Sequence, residues 1–292
     1  MRTGFVGLGA MGTSMARNLH RAGLLHGVWN RTPEKARALA GELKCAAPER
    51  LSELAQACDV LVICVSADAD VLAVVAGLAE SVRAGSIVID CSTVSAETAR
   101  TAAAQLRSRG VDFLDAPVSG GVEGAAKGTL AIMVGGDAAV LERARPALQA
   151  MGQTITHFGA TGAGQAAKAT NQIMVAGIIR ANAEALAFAA AYGLDLGKVI
   201  GTLGNGAAAN WYLANRGPNM QRGSYPAGFR VRLHQKDLNI CRDMARERGA
   251  QLPVVDSVLG EYAQLIAAGY GDEDISAIFR LKAALFRPPA TS

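Results

Sequence analysis

Residues 3–12 read TGFVGLGAMG, and this stretch decides the fold. A short apolar run breaks into glycines with the spacing GxGxxG, and the helical pattern TSMARNLHRAG follows directly. A strand before the glycines and a helix after them give the motif its meaning. Gly7 permits the tight turn, Gly9 lets the backbone approach a pyrophosphate, and Gly12 allows close contact between helix and strand. The stretch therefore predicts a dinucleotide-binding loop at the amino end of a helix.

The first half of the chain continues as a series of β–α units. Apolar runs such as DVLVICV and GSIVIDCS alternate with longer helical patterns such as ADVLAVVAGLAESV. Because these runs are apolar throughout, we expect parallel strands covered on both faces, as in a doubly wound α/β sheet. The pattern changes near residue 160, at the glycine-rich stretch HFGATGAG, and every later segment reads as helix. We therefore predict a dinucleotide-binding α/β domain over residues 1–162 and an all-helical domain over residues 163–292.

The composition argues against several classes of protein. The net charge of +4 is mild and no dense Lys/Arg block occurs, so nucleic acid is not expected as a partner. The five cysteines have no paired spacing, and the four histidines do not cluster with cysteines or acids. This pattern predicts a reducing, cytoplasmic environment and no metal site. No signal peptide is expected, and charged or polar Arg180, Asn182 and Glu184 interrupt the most apolar helix, so no membrane span is expected.

The residues after the second strand bear on the choice of cofactor. A dinucleotide site usually has an Asp or Glu about 20 residues after the glycines, which binds the ribose 2′-hydroxyl. This sequence has Asn30, Arg31 and Thr32 at that point and no carboxylate. A guanidinium and a hydroxyl suit a 2′-phosphate, so NADP(H) is favoured while NAD(H) stays possible. In the alternative interpretation Arg31 only caps the strand and points to solvent.

Four separated stretches carry a resemblance to one family. They are FVGLGAMGTSMARNL (5–19), DAPVSGGVEGAAKGTLAIMVGG (115–136), GAGQAAKATNQ (162–172) and HQKDLNI (234–240). In this order they resemble the β-hydroxyacid dehydrogenases, which include 3-hydroxyisobutyrate dehydrogenase, tartronate semialdehyde reductase and the glyoxylate/succinic semialdehyde reductases. The resemblance implies an N-terminal Rossmann domain, an all-α C-terminal domain on a long interdomain helix, and a homodimer or homotetramer.

The resemblance also implies roles for residues on the helices. Lys168 matches the catalytic lysine of the family, and Asn171, three residues later, shares its helix face. The family commonly has a further Asn at the next position, where this chain has Gln172, so either amide could orient the substrate. Lys236 and Asp237 match a Lys-Asp pair, and Lys236 is expected near both the substrate and the nicotinamide end of the cofactor.

The loops supply the remaining predicted contacts. Ser119, Gly120 and Gly121 match the substrate loop of the family, and a hydroxyl beside glycine N–H groups suits a carboxylate. The cofactor positions come from the glycine loop, from the end of the second strand, from the loops after the third and fourth strands, and from the Lys-Asp pair. They are Gly7, Leu8, Gly9, Ala10, Met11, Gly12, Asn30, Arg31, Thr32, Val65, Ser66, Thr93 and Lys236.

Together these features predict an NADPH-dependent reductase of small aldehydes that carry a carboxylate, such as glyoxylate or succinic semialdehyde. Lys168 is expected to donate the proton as negative charge develops on the carbonyl oxygen, and the product is a hydroxyacid. An NAD-dependent 3-hydroxyisobutyrate or serine-type dehydrogenase is the alternative. A dinucleotide-binding module without catalysis is a more remote one, and Ser119, Lys168 and Asn171 argue against it.

Overall fold

The structure, a computed structural model, describes residues 1–286. Its first half contains one eight-stranded sheet. The strands are β1 (Thr3–Val6), β2 (Leu25–Trp29), β3 (Val60–Ile63), β4 (Ile87–Asp90), β5 (Asp112–Asp115), β6 (Val118–Ser119), β7 (Leu130–Gly135) and β8 (Gly152–Gly159).

The doubly wound sheet expected from the sequence is confirmed. The strand order is β2-β1-β3-β4-β5-β7-β6, with β8 on β7, and β1 to β5 pair in parallel. The winding reverses between β1 and β3, which is the point where ligands bind in sheets of this kind. The far end of the sheet is mixed, because β7 runs antiparallel to β5 and β6 and parallel to β8.

The strand register brings the carboxyl ends of four strands to one edge. Val6 lies opposite Ile63, Ile63 lies opposite Asp90, and Asp90 lies opposite Asp115. Because these strands are parallel, the loops that follow them emerge side by side. The glycine loop is one of these loops, so the sequence motif and the sheet topology point to the same edge.

Helices cover both faces of the sheet. Phe5 and Val62 belong to one buried cluster, and Val6 and Ile63 belong to the other, since successive strand residues point to opposite faces. This two-sided burial explains why the strands read as continuous apolar runs. The helices of this part are α1 (Gly12–Arg21), α2 (Pro33–Leu43), α3 (Leu51–Ala57), α4 (Asp68–Ala79), α5 (Ala96–Arg107), α6 (Gly121–Lys127) and α7 (Ala138–Met151).

The chain divides into two compact units, Met1–Lys168 and a second unit that begins at Ala169. The long helix α8 (Ala163–Ala191) starts in the first unit and continues in the second. The second unit has its own apolar core, which includes Ile179, Leu238 and Tyr262. Its further helices are α9 (Leu196–Leu203), α10 (Trp211–Arg222), α11 (Val231–Arg246), α12 (Pro253–Ala267), a 3₁₀ turn (Ile275–Ile278) and α13 (Phe279–Ala284).

The sequence does not predict the short elements α3, α6 and β6, nor β8, which with eight residues is the longest strand of the sheet. The stretch HFGATGAG indicates a glycine-rich joint, but its first residues complete β8, which ends at Gly159. Most β8 side chains are exposed, including the polar Gln153, Thr154 and Thr156. Because the strand lacks the continuous apolar run of the buried strands, pattern alone does not reveal it.

Among residues 1–286, one helix, α8, is long and apolar enough to cross a membrane by length and composition alone. Of its most apolar window, 39% is buried within the protein. The core helix of a folded domain passes the same test, so this finding is weak evidence for a span. The expectation of no membrane partner stays a prediction.

Candidate functional site

A cavity of about 320 Å³ lies at the carboxyl ends of β1, β2 and β3 in the first unit. The glycine loop, the end of β2 and the loop after β3 all contribute to its wall. Among the predicted cofactor positions, those that line it are Gly7, Leu8, Gly9, Asn30, Arg31, Thr32, Val65 and Ser66. The sequence motifs at three strand ends therefore converge on one cavity. Ala10, Met11, Gly12 and Thr93 lie outside its lining, and Lys236, the remaining predicted position, belongs to the second unit.

The glycine loop is shaped by close backbone contacts. Gly7 has a φ of +98°, and a Cβ there would come within 2.2 Å of the Cys64 carbonyl oxygen. A Cβ at Gly12 would lie 2.0 Å from the Gly7 carbonyl oxygen. A Cβ at Gly9 would meet no atom of residues 1–286 within 4 Å, so this glycine borders open space. That is the arrangement needed where a pyrophosphate approaches the backbone.

Two further features of the loop fit a dinucleotide. Helix α1 begins at Gly12 with no acidic residue in its first turn and no side-chain cap, so its partial positive charge is not neutralised locally. The Leu8 N–H donates to the Asn30 Oδ1 at 2.9 Å. This bond ties the glycine loop to the end of β2, which makes Asn30 a support of the loop as well as a wall of the cavity.

The sequence predicts no carboxylate beside Arg31, and the structure differs from this expectation. The Arg31 guanidinium binds the Asp70 carboxylate at 2.7 Å, so a carboxylate is present after all, supplied by α4. The Arg31 side chain is 85% exposed and that of Asp70 is 26% exposed. Lys35 also lines this part of the cavity. Thr32 precedes α2 but its side chain makes no capping bond to that helix.

A buried hydrogen-bonded chain joins the loops after β3 and β4. The Val65 N–H donates to the Ser92 Oγ at 2.9 Å, and the Ser92 N–H donates to the Asp90 Oδ1 at 2.9 Å. The Asp90 Oδ2 is buried and has no hydrogen-bond partner among the residues described. Burial is the main cause that raises the pKa of Asp90 to about 7. The loop that carries Val65 is thus held by a carboxyl group that titrates near neutral pH.

The first turn of α8 is pinned to the end of β5. The N–H groups of Gly162 and Gln165 donate to the two carboxylate oxygens of Asp115 at 2.8 and 2.9 Å. Burial raises the pKa of Asp115, against the opposing effect of these donors. One turn after Gln165, Lys168 is only 7% exposed. A surface role for Lys168 is therefore excluded, since an ordinary lysine keeps its ammonium in water.

A second polar chain lies in the second unit and starts at the continuation of α8. The Asn171 Nδ2 donates to the Gln172 Oε1 at 2.7 Å, and the Gln172 Nε2 donates to the Asp237 Oδ2 at 2.6 Å. The Lys236 Nζ binds the other oxygen of Asp237 at 2.9 Å. Gln172 is buried and both ends of its amide are engaged, whereas Asn171 is half-buried. Asn171 and Lys236, predicted separately, thus belong to one network.

The predicted substrate loop leads into a short helix. Ser119 ends β6 and is half-buried, Gly120 precedes α6 with a φ of +132°, and Gly121, the first residue of α6, has a φ of +64°. The Asn18 Nδ2 donates to the Ala125 carbonyl oxygen at 2.7 Å and so fastens α6 to α1. The glycines are needed here because other residues rarely adopt such φ values. The carboxylate-binding role of this loop stays a prediction.

Sequence reasoning misses Lys35 and Asp70 as members of the cavity. Lys35 stands three positions after Thr32 at the start of α2, so helical spacing could have suggested it. Asp70 is 39 residues away from Arg31 in sequence, and only the sheet topology brings the two together. No local pattern signals such a pair.

Two family models match the chain. Residues 2–159 match the NAD binding domain of 6-phosphogluconate dehydrogenase. Residues 162–282 match the model described as NAD-binding of NADP-dependent 3-hydroxyisobutyrate dehydrogenase. Together the two models cover both the cavity and the polar chain of the second unit.

Individual proteins are similar over nearly the whole chain. A 2-hydroxy-3-oxopropionate reductase of Escherichia coli is 40% identical and is aligned over 87% of each chain. An NAD-dependent L-serine dehydrogenase of Pseudomonas aeruginosa is 36% identical over 95% of this chain and 96% of its own. The structure of a Mycobacterium tuberculosis 3-hydroxyisobutyrate dehydrogenase with L-serine superposes with a TM-score of 0.88 at 34% identity, covering 96% of this chain and 99% of that one.

Proposed function

Because this chain belongs to the β-hydroxyacid dehydrogenase family and is an NAD(P)-dependent oxidoreductase, we propose that it is an NADPH-dependent reductase. Its proposed substrates are small aldehydes that carry a carboxylate, such as glyoxylate or succinic semialdehyde, and its products are hydroxyacids. A homodimer or homotetramer in the cytoplasm is part of the same proposal, on family resemblance alone.

The cofactor would be held by the glycine loop and by the strand ends around it. The open side of Gly9 and the uncapped start of α1 suit the pyrophosphate. Arg31, Thr32 and Lys35 suit a 2′-phosphate, since the two cations supply charge and the hydroxyl supplies a donor. When bound, the nicotinamide supplies the hydride. The fit of the residues to a phosphorylated dinucleotide is what supports NADP(H) over NAD(H).

Lys168 would hold the proton that the carbonyl oxygen takes up during reduction. Its ammonium can also stabilise the charge that develops on that oxygen. Its burial, with 7% of its surface exposed, is the single observation that carries the proposal. A buried ammonium stabilises a developing oxyanion far more than one in water does, because the surroundings have a low dielectric constant.

The substrate class rests on the loop at Ser119 and on the amide of Asn171. A hydroxyl and two flexible glycines offer donors to a carboxylate, and the relative in Escherichia coli is named for an oxo acid. Gln172 is buried whereas Asn171 is half-buried, which favours Asn171 as the amide that would orient the substrate. We therefore expect recognition through the acid group, with the carbonyl turned toward Lys168.

The test is NADPH oxidation, followed by absorbance, over glyoxylate, succinic semialdehyde and 2-hydroxy-3-oxopropionate, each beside a neutral aldehyde of similar size. We expect the acids to be reduced and the neutral compounds to react poorly. In Ser119→Ala, the KM for the acids should rise by roughly ten- to a hundredfold, since a hydrogen bond to a charged group is worth about 1.5–3 kcal/mol. An equal rise for the neutral aldehydes would remove the carboxylate role.

A second candidate function is favoured by one observation. Asp70 puts a carboxylate into the cofactor cavity, and a carboxylate can accept a hydrogen bond from the free 2′-hydroxyl of NAD(H). An NAD-dependent dehydrogenase of 3-hydroxyisobutyrate or serine type would use it so. Comparing kcat/KM for NADPH and NADH, and for L-serine and 3-hydroxyisobutyrate with NAD⁺ and NADP⁺, separates the two functions.

A further inference from the structure

Gln165 has an unusual set of partners for a residue in the first turn of a helix. Its side chain is buried, with 1% of its surface exposed. The Gln165 Nε2 donates to the Ser92 carbonyl oxygen at 2.9 Å, and the Gln165 Oε1 accepts from the Val94 N–H at 3.2 Å. These two groups belong to the peptide units on either side of Thr93. A single amide therefore binds the backbone before and after Thr93, and these two hydrogen bonds together form the Gln165 grip.

The backbone of Gln165 is fixed as firmly as its side chain. Its N–H donates to the Asp115 Oδ2, as described above, which anchors the turn to the end of β5. The neighbouring Gly164 lies so close to the sheet that a Cβ there would come within 2.4 Å of the Met133 carbonyl oxygen. The turn thus has little room to shift relative to the strand ends.

We propose that Gln165 is a positioning residue for the reaction, which sets the spacing between the Thr93 loop and the helical turn that carries Lys168. This inference rests on the proposed function, in which Lys168 holds the proton, and on the prediction from the sequence that Thr93 contacts the cofactor. Gln165 and Lys168 are three residues apart and so lie on neighbouring parts of one helix face. A change in the grip on Ser92 and Val94 would alter the alignment of the cofactor loop with the lysine.

The chemistry of the grip requires an amide. The Ser92 carbonyl needs a donor and the Val94 N–H needs an acceptor, and the carboxamide of glutamine supplies one of each without charge over the whole pH range of the assay. Leucine at this position fills a similar volume but leaves both backbone groups without their partner. Glutamate keeps the acceptor for Val94, but its ionised second oxygen faces the Ser92 carbonyl. Protonation of that glutamate restores a donor, so the glutamate variant is a switchable form of the same contact.

The first arm of the test needs no cofactor and no substrate. In the unliganded protein, Gln165→Leu should speed hydrogen–deuterium exchange of the Val94 amide, followed by mass spectrometry of peptides that span residues 92–95. The control is Leu148→Ala, a core variant on α7 chosen to lower thermal stability from the buried cluster that does not contain Val94. It should leave exchange at Val94 near that of the parent. Unchanged exchange in Gln165→Leu would show that the grip does not exist.

The second arm measures catalysis. We expect kcat of Gln165→Leu to fall by roughly ten- to a hundredfold, the size expected when reacting groups are displaced by about 1 Å. The Kd for NADPH, from fluorescence titration, should stay within about threefold, because the adenosine end is untouched. The kcat of Gln165→Glu, divided by that of the parent, should rise as pH falls and the acid becomes protonated. Faster exchange with kcat within twofold of the parent would overturn the positioning role.

The two arms separate this inference from the function beneath it. A parent that reduces acid-bearing aldehydes, with Lys168→Ala inactive and Gln165→Leu fully active, would contradict only the role of Gln165. A parent that oxidises no NADPH with any of the aldehydes would overturn the proposed function and the positioning role together. A fall in kcat of the same size in Leu148→Ala would show that lost stability, and not the grip, is the cause.

Discussion

The two ends of the first unit's ligand-binding edge are built in opposite ways. At the adenosine end, the Arg31 side chain is 85% exposed and pairs directly with Asp70 at the surface. At the other end, Lys168 is 7% exposed, on a helix whose start is bound to Asp115. Exposed charge pairs are weak and easily exchanged for another partner, whereas buried polar groups are held in one arrangement. The difference suggests that the exposed end selects the cofactor and that the buried end performs the chemistry.

The largest effect should come from the buried end. Lys168→Ala is expected to lower kcat by roughly 10²–10⁴, because the general acid and its charge are both lost. The Kd for NADPH should change by less than about twofold, as the lysine is not part of the adenosine site. Lys198→Ala, at an exposed position on α9, serves as the matched control and should keep full activity. A Lys168→Ala enzyme with more than half the parent kcat would refute the assignment.

The exposed end should show a smaller effect, confined to binding. Arg31→Ala is expected to raise KM for NADPH by roughly ten- to a hundredfold, the equivalent of a charge-assisted bond of about 1.5–3 kcal/mol. The KM for NADH should barely move, since its ribose offers the guanidinium no phosphate. Arg37→Ala, an exposed arginine on α2 outside the cavity, is the control. Equal losses for both cofactors would show that Arg31 does not recognise the phosphate.

Titration of Asp90 should make the stability of the folded protein depend on pH. Its pKa is raised from 3.8 to about 7 in the folded protein, mainly by burial. The folded state therefore holds a proton that the unfolded chain has released, so stability should fall as pH rises from about 4 to about 7 and then level off. Asp90→Asn removes this contribution and should reduce the slope of Tm against pH in that window, to which the raised pKa of Asp115 also contributes. Urea or thermal unfolding at several pH values measures it, and an unchanged slope would contradict the assignment.

The smallest effect is expected from Asp70. An exposed ion pair contributes about 0–1 kcal/mol, so Asp70→Asn should release Arg31 and lower KM for NADPH by at most about fivefold at low salt. The NADPH-to-NADH preference should rise by a similar factor. If NADPH binding weakens instead by tenfold or more, Asp70 orients the arginine for its ligand and does not compete with it.

The sequence predicts the fold and much of the cavity because both depend on local patterns. Continuous apolar runs give the buried strands, and the glycine spacing gives the loop with its tight contact between Gly7 and the Cys64 carbonyl. The pairing of Arg31 with Asp70 and the grip of Gln165 on Ser92 and Val94 follow no such pattern. Those contacts join residues on elements that only the sheet order brings together. The exposed strand β8 is not predicted either, because most of its side chains are exposed and its sequence therefore lacks a continuous apolar run.

The division of labour between the two ends is tested most directly by single-turnover hydride transfer at saturating cofactor, followed by the loss of reduced-nicotinamide absorbance. We predict that the parent transfers hydride from NADPH and from NADH at rates within about twofold, because the 2′-phosphate acts on binding and not on the transition state. Arg31→Ala should leave both rates unchanged, and Lys168→Ala should slow both by the same large factor. A tenfold slower transfer from saturating NADH in the parent, or a normal rate in Lys168→Ala, would contradict this account.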